Sequence, residues 1–457
     1  MQISQLQQHN PWWRRPEYIL DNPFIKNLEK QKFVYFHPLY QNFPLEKEAV
    51  LTLRGPRRIG KTTLLMLIIK KLLLEKKVNP ENIFFYPGDL LKDFKELHEL
   101  LTVYLDFIRP KNKDRLYLFL DEISFVANWQ RAIKSLVDTA QLKKTTVLIT
   151  GSNILDLKFS SERMPGRRGE VFPWDIKFLP LSFAEYLSLV KPEIQTDSYF
   201  KALGFLAEYR KFFTDYLLTG GFPVTINQFY QQGYIEPTLY EIFLTWIEGD
   251  LHKTGKSEAV AYRLINRLFS HLTTPVSYYK LAKESGLASH ATVADYLEIL
   301  EKMFVILSLP HFSLEEKKVL HRKNQKFYFA DPFIFNALKT KIEGFLNNPF
   351  NYSQETIISE GRRPALMENA AALHFHRLYP KLYYGRSAKK EIDFVGFYQS
   401  KYALFEVKYQ GKVSADEFSW AKRLVEKGTL QVLTQRDYHQ NKIHLVPAEI
   451  FLGCVKP

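Results

Sequence analysis

Between about residues 48 and 180, short unbroken apolar runs alternate with stretches of helical periodicity. The runs Ala49–Arg54, Ile83–Tyr86, Leu116–Leu120, Thr146–Thr150 and Ile176–Leu179 leave little room for a wet face. They predict strands of a parallel sheet covered by helices on both sides, since parallel strands are buried on both faces. The expected core spans 46–190. Ahead of it, 1–45 mixes Trp12, Trp13, Arg14 and Arg15 with several prolines and reads as an arm packed on that core. Residues 191–260 follow a helical pattern interrupted by Gly220-Gly221-Phe222-Pro223. Two short helices and a Tyr/Phe run, Lys326–Ala330, fill 261–339. The segment 340–361, with Gly344, Asn347, Asn348, Pro349 and Asn351, reads as a linker. A second α/β unit is expected over 362–457. No repeat of fixed period stands out.

The strand Ala49–Arg54 runs into Gly55-Pro56-Arg57-Arg58-Ile59-Gly60-Lys61-Thr62-Thr63, which satisfies G-x-x-x-x-G-K-[ST]. A helical run, Thr62 to Lys77, follows directly. Strand, loop and helix in this order bring backbone amides and a helix N-terminus to bear on phosphate. The expected ligand is ATP, with Lys61 reaching the β- and γ-phosphates and Thr62 ligating Mg²⁺. The run Leu116–Leu120 ends in Asp121-Glu122. Asp121 is expected in the magnesium shell and Glu122 as the group that orients or deprotonates the attacking water. The strand Thr146–Thr150 leads into Gly151-Ser152-Asn153, so one of Thr150, Ser152 or Asn153 is a candidate γ-phosphate sensor. Arg163, Arg167 and Arg168 are candidates for neutralising transition-state charge, and the sequence does not choose among them.

The stretches LRGPRRIGKTTLL, YLFLDEISFVANWQRAIKSLVD, VLITGSN, ERMPGRRGE and FLPLSFAEYL carry a family resemblance. Together, residues 11–190 resemble archaeal-type P-loop ATPases of the AAA+/STAND neighbourhood. The resemblance implies a sheet order of 5-1-4-3-2 and a helical lid in which Gly221-Phe222-Pro223 matches a G-x-P motif, with Pro223 near the adenine. It also implies a winged-helix region that couples domains.

The pattern over Val276–Leu309 fits a helix-turn-helix, turning at Gly286 and reopening at Ser289, with Ala282, Leu287, Val293, Leu297 and Leu300 as its small core. The N-terminal side chains of its second helix, His290, Thr292 and Asp295, form a poorly basic set for a DNA groove. Direct DNA contact and a purely structural role both remain open on the sequence.

Downstream, Glu368 falls on a helical pattern, Asp393 in the strand Glu391–Val395, and Glu406 with Lys408 in the strand Tyr402–Lys408 after a turn about Gln399-Ser400. Residues two apart on a strand share a face, so Glu406 and Lys408 point the same way. Asp393 and Glu406 are expected to share a Mg²⁺ or Mn²⁺ ion, with Lys408 positioning the attacking water. The stretch 362–440 resembles the PD-(D/E)xK restriction-endonuclease-like superfamily, as EIDF followed by EVK with Glu368 on the helix. The resemblance implies catalytic roles for Glu368, Asp393, Glu406 and Lys408, or an interaction domain that has kept the fold without cleavage.

Composition adjusts this picture in two respects. A formal charge of +14 favours a polyanionic partner, nucleic acid and DNA first. A single cysteine, Cys454, rules out an internal disulfide framework and fits a reducing cytoplasm. The N-terminal stretch lacks an apolar secretory core, and no uncharged apolar run of about 18 residues marks a membrane span. The expectation is a cytoplasmic Mg-ATPase whose nucleotide state controls a nuclease-like tail acting on nucleic acid. The rival is an ATP-dependent signalling switch whose inactive tail binds a protein, and self-association stays open.

Overall fold

A computed structural model describes residues 2–111, 113–151, 166–169, 171, 173–321, 323–359, 361–387, 390–398, 401–423 and 430–456. The chain forms two compact units, 1–179 and 180–457.

The first unit is built on five parallel strands: β1 (Ala49–Arg54), β2 (Ile83–Pro87), β3 (Leu116–Asp121), β4 (Thr145–Gly151) and β5 (Asp175–Lys177). Their order across the sheet is β2-β3-β4-β1-β5. Every residue of β1, β3 and β4 is buried, which is why their sequences lack alternation. The helix Phe94–Ile108 starts where Asp93 accepts from the amides of Lys95 and Glu96. Its stripe Leu97, Leu100, Leu101, Tyr104, Leu105 and Ile108 packs into one core with Val50, Leu118, Val147 and Ile149. The helix Trp129–Asp138 adds Trp129, Ala132, Ile133 and Leu136.

The N-terminal arm covers the free edge of β2. Asn10 donates to the Phe85 carbonyl at 3.0 Å and accepts the Phe85 amide at 2.7 Å, so one side chain imitates a neighbouring strand. The indoles of Trp12 and Trp13 both donate to the Ile83 carbonyl, at 3.1 and 2.9 Å. An exposed strand edge invites pairing with another chain, and the arm removes that edge.

The second unit opens with helices Phe183–Val190, Leu206–Thr219, Pro223–Gln232, Pro237–Lys253 and Glu258–Ser270. The pair Tyr278–Glu284 and His290–Lys302 follows, capped by Ser277 and Ser289. Ala282, Val293, Leu297 and Leu300 are buried in it, whereas Leu287 is only half-buried. Next come β6 (Ile306–Leu309), β7 (His311–Ser313), β8 (Lys318–Leu320) and β9 (Lys326–Phe329). β6 pairs with β9 alone. The β7–β8 hairpin instead extends a sheet completed by β10 (Lys381–Arg386), β11 (Glu391–Tyr398), β12 (Lys401–Lys408), β13 (Leu430–Thr434) and β14 (Ile443–Pro447). That sheet runs β14-β13-β12-β11-β10-β7-β8, and β7 joins it parallel to β10.

The first compact unit ends at Leu179, and the helix Phe183–Val190, the last of the expected core 46–190, packs on Leu206–Thr219 and Ala448–Cys454 in the second. The segment 340–361, read as a linker, contains the helix Pro349–Ile358 with Phe350, Ser353 and Ile357 buried. Gly344 ends one helix in a left-handed conformation and Pro349 opens the next, so the linker signals are helix punctuation. The turn about Gln399-Ser400 lies outside the described residues.

Replacing Asn10 by Ala leaves a buried amide and carbonyl of Phe85 without partners. We expect Asn10→Ala to lower the stability of the full chain by ~1–3 kcal/mol in urea unfolding, the usual cost of orphaned buried groups. A change below about 0.5 kcal/mol shows that water replaces the asparagine at this edge.

Candidate functional site

In the first unit the carboxyl ends of β1, β3 and β4 converge on one place. The loop after β1 turns back at Gly55, where a Cβ would stand 2.0 Å from the Phe178 carbonyl oxygen. Only glycine fits beneath that carbonyl. Gly60, at φ +103°, caps the helix Lys61–Lys70 in a conformation closed to most side chains. Between them Arg57 sits over the Phe125 ring at 5.8 Å, Arg58 is exposed, and Ile59 is buried. Pro56 and Thr63 complete the loop's approach to the helix.

Lys61 is buried, and its ammonium donates to the carbonyls of Gly55 and Pro56, both at 3.0 Å. Glu122 lies 3.7 Å away. Burial lowers the Lys61 pKa, opposed chiefly by Glu122 and Asp121. The Thr62 hydroxyl donates to Asp121 Oδ2 at 2.6 Å, and the Thr150 hydroxyl donates to Asp121 Oδ1. Thr150 also accepts the Glu122 amide at 2.9 Å, holding that residue at φ +48°. Burial raises the Asp121 pKa, and the hydroxyls of Thr150 and Thr62 counter it. The Thr62 hydroxyl and the Asp121 carboxylate are hard oxygen donors side by side, a set that fits Mg²⁺. The adjacent ammonium and helix N-terminus fit a phosphate chain.

Residues 47–187 match a family model described as an AAA domain. The chain carries an AAA-type P-loop domain. Two further models, both described as domains of unknown function (DUF8612 and DUF4143), match residues 210–345 and 363–451. An uncharacterized protein of Haemophilus influenzae is 24% identical over 410 residues, 87% of this chain and 92% of its own length. Two uncharacterized proteins of Methanocaldococcus jannaschii are 27% identical over 342 residues and 26% over 420. The first alignment covers 69% of this chain and 68% of the relative, the second 88% and 85%. Among solved structures, the Walker-type ATPase of Pyrococcus abyssi is similar at 14% identity and TM-score 0.37, covering 63% of this chain and 90% of its own. The RuvB Holliday-junction branch-migration motor of Thermotoga maritima is similar at 16% and 0.27, covering 62% and 88%. Likenesses of that degree carry no weight for this chain.

Not every residue singled out near the AAA domain's site belongs to it. Arg168 is committed elsewhere: its guanidinium pairs with Asp175 at 3.0 Å and donates to Val50 O, Thr52 Oγ1 and Trp174 O. It fastens β5 to the middle of β1 rather than reaching towards a phosphate. Arg167 pairs with Asp138 at 2.5 Å. Ser152, Asn153 and Arg163 lie outside the described residues. Pro223 opens a helix of the second unit.

The second unit brings the four tail residues together and adds three that the sequence reading missed. Glu368 projects from the helix Arg363–Leu378, Asp393 from β11, and Glu406 and Lys408 from β12. Lys326, on β9, enters from outside the expected tail. Its ammonium lies 2.8 Å from Asp393 Oδ1, 3.0 Å from Glu391 Oε1 and 3.1 Å from Glu368 Oε1. Only 1% of its side chain is exposed. Tyr328, two residues along the strand, donates to Glu368 at 2.7 Å. Burial alone would lower the Lys326 pKa, but Tyr328, Asp393, Glu368 and Glu391 hold it well above the ordinary value. Burial and Asp393 push Glu368 up to about 8 and Glu406 up to about 7.

Asp393 and Glu406 were expected to share a metal ion. Instead Asp393 Oδ2 accepts the Val407 amide at 2.9 Å while Oδ1 faces Lys326. Glu406 Oε2 accepts the Asp393 amide at 3.1 Å and Oε1 meets Lys408 at 2.9 Å. All four oxygens are engaged. Among the described residues no group of three or more His, Cys, Asp or Glu is placed to hold a metal ion. The tail cluster, as it stands, does not fit a divalent cation. Lys326 had one signal in the sequence: it shares a strand face with Tyr328 in an otherwise aromatic run, so it must be buried or at an edge.

Thr150 orients both acidic residues of the AAA domain without reaching the nucleotide loop. Thr150→Val is therefore expected to slow phosphate release from ATP by about 10- to 100-fold, as supporting residues of metal sites do. Binding of a fluorescent ATP analogue should change by less than about threefold. Equal losses in both assays would show that Thr150 serves folding alone.

Proposed function

We propose that the chain binds Mg-ATP at Gly55–Thr63 and hydrolyses it, and that its nucleotide state controls the second unit. The observation that carries this reading is the chain of contacts Thr62–Asp121–Thr150–Glu122 beside the buried Lys61. Bound magnesium, held through Thr62 and Asp121, would neutralise charge on the β- and γ-phosphates. Lys61 exchanges two neutral carbonyls for phosphate oxygens. Glu122, fixed through its amide by Thr150, orients or deprotonates the attacking water. Support for control of the second unit comes from the Haemophilus and one Methanocaldococcus relative, which align across 87% and 88% of this chain, so the AAA-type region and the rest occur together.

Two outputs compete for the second unit. One is metal-dependent cleavage of DNA by Glu368, Asp393, Glu406 and Lys408, aided by the +14 charge and a winged-helix reading of 261–339. The other is a switch whose nuclease-like tail binds a protein partner without cutting. The Lys326 ion pairs favour the second, because the ammonium stands between carboxylates that cleavage would assign to a metal.

Lys61→Ala is expected to weaken ATP binding by roughly 10- to 100-fold or more in isothermal titration, since one charge-assisted hydrogen bond is worth ~1.5–3 kcal/mol. Unchanged affinity would remove the nucleotide assignment. Glu122→Gln should keep affinity and lose about 10²- to 10⁴-fold in hydrolysis. For the tail, purified full-length protein with Mg²⁺ or Mn²⁺, with and without ATP, is expected to leave DNA and RNA intact. Cleavage that disappears in Asp393→Ala would restore the nuclease reading and retire the switch.

A further inference from the structure

Four acidic side chains of the second unit, Glu368, Glu391, Asp393 and Glu406, meet around the junction of β9, β11, β12 and the helix Arg363–Leu378. Carboxylates this close, with Asp393 and Glu406 buried, Glu368 nearly so and Glu391 one-third exposed, repel one another and favour a cation between them. In oxygen-ligand sites that cation is a metal ion drawn to about 2.0–2.6 Å from its donors. Here the centre is taken by a side chain. The Lys326 ammonium contacts Glu368, Glu391 and Asp393 at 3.1, 3.0 and 2.8 Å, and each of its three protons has a carboxylate to meet. Lys408 supplies a second positive charge, at 2.9 Å from Glu406.

The origin of Lys326 matters as much as its position. It stands on β9, which hydrogen-bonds to β6 and not to the large sheet. Tyr328, from the same face of β9, adds a hydrogen bond to Glu368. Asn369, next on the helix, accepts the Phe329 amide at 2.8 Å and donates to the Phe329 carbonyl at 2.9 Å. Three consecutive contacts therefore lace β9 to the helix that carries Glu368.

We propose that Lys326 is the resident cation of this acidic centre, occupying the place between Glu368, Asp393 and Glu391 that a divalent ion would need. The centre is a metal-independent seam that joins the β6–β9 pair to the tail. Removing the ammonium unmasks a latent divalent-cation site made of Asp393, Glu368 and Glu391. The inference rests on the reading of the second unit as a non-cleaving output, and it makes a separate demand: metal affinity must be set by Lys326.

The test is Mn²⁺ binding to the full chain, followed by electron paramagnetic resonance of the free ion. An Asp121→Asn background silences the site of the first unit. With Lys326 present, adding Asp393→Asn should leave Mn²⁺ binding unchanged. Lys326→Ala should gain one site at least about tenfold tighter, and Asp393→Asn should abolish that gain. Circular dichroism melting establishes that each variant is folded. If Lys326→Ala does not fold, the comparison with and without Asp393→Asn in the Lys326 protein decides alone. Asp393-dependent Mn²⁺ binding there overturns the proposal, as does a folded Lys326→Ala that gains no site. Failure to gain a site would leave the non-cleaving reading intact, whereas metal-dependent DNA cleavage by the unaltered protein would remove that reading itself.

Discussion

The first unit hangs on one carboxylate. Asp121 takes a hydroxyl hydrogen bond from Thr62, at the head of the helix after β1, and another from Thr150, at the end of β4. β3, which carries Asp121, is hydrogen-bonded to β4, and β4 to β1, so the three strands most deeply buried in the sheet are tied together at their carboxyl ends. A buried carboxylate is costly without partners. Here the same hydroxyls that hold it also set the loop, the helix start and Glu122. The fold of the site and its chemistry are thus one set of contacts, and no member can be moved alone.

Much of this was legible because it is local. The run Ala49–Arg54, the glycines at 55 and 60 and the lysine at 61 are contiguous, and each has a mechanical task that few residues perform. The strands were readable for a related reason: burial on both faces leaves continuous apolar runs. Thr150 was visible only as one of three sensor candidates. Its role is to grip the acidic pair from the next strand, a contact across 29 residues that no periodicity encodes. Arg168 shows the reverse case. A basic residue after β4 looks available for phosphate, yet its partners on β1 and Asp175 make it a strand clamp.

The second unit was less legible because its elements do not follow chain order. A sequence reading cuts at prolines, glycines and asparagines, and those residues at 344–351 mark helix ends inside a packed body. The β7–β8 hairpin looks like part of a wing by position, but it adds to the tail sheet through β10. Lys326 crosses the same divide, 42 residues before Glu368 and 67 before Asp393. The acidic residues signalled a cation requirement, and the motif pointed to a metal. What answers the requirement lies in a strand that spacing rules had no reason to connect.

Two buried lysines therefore define the molecule, and their surroundings explain why they differ in use. Lys61 makes its close contacts with two neutral carbonyls, and the nearest carboxylate is 3.7 Å away. Its charge is incompletely matched, and burial works against it. A phosphate arriving at the helix N-terminus improves that balance, which is what a binding site requires. Lys326 has three carboxylates within 3.1 Å and its charge is fully matched at rest. An incoming anion would find no unmet charge there, and an incoming cation would find its place taken. The first lysine is set to respond to a ligand and the second to hold two layers of one unit together. On that basis the two sites differ in kind: the first leaves an ammonium facing neutral carbonyls, and the second surrounds its ammonium with carboxylates.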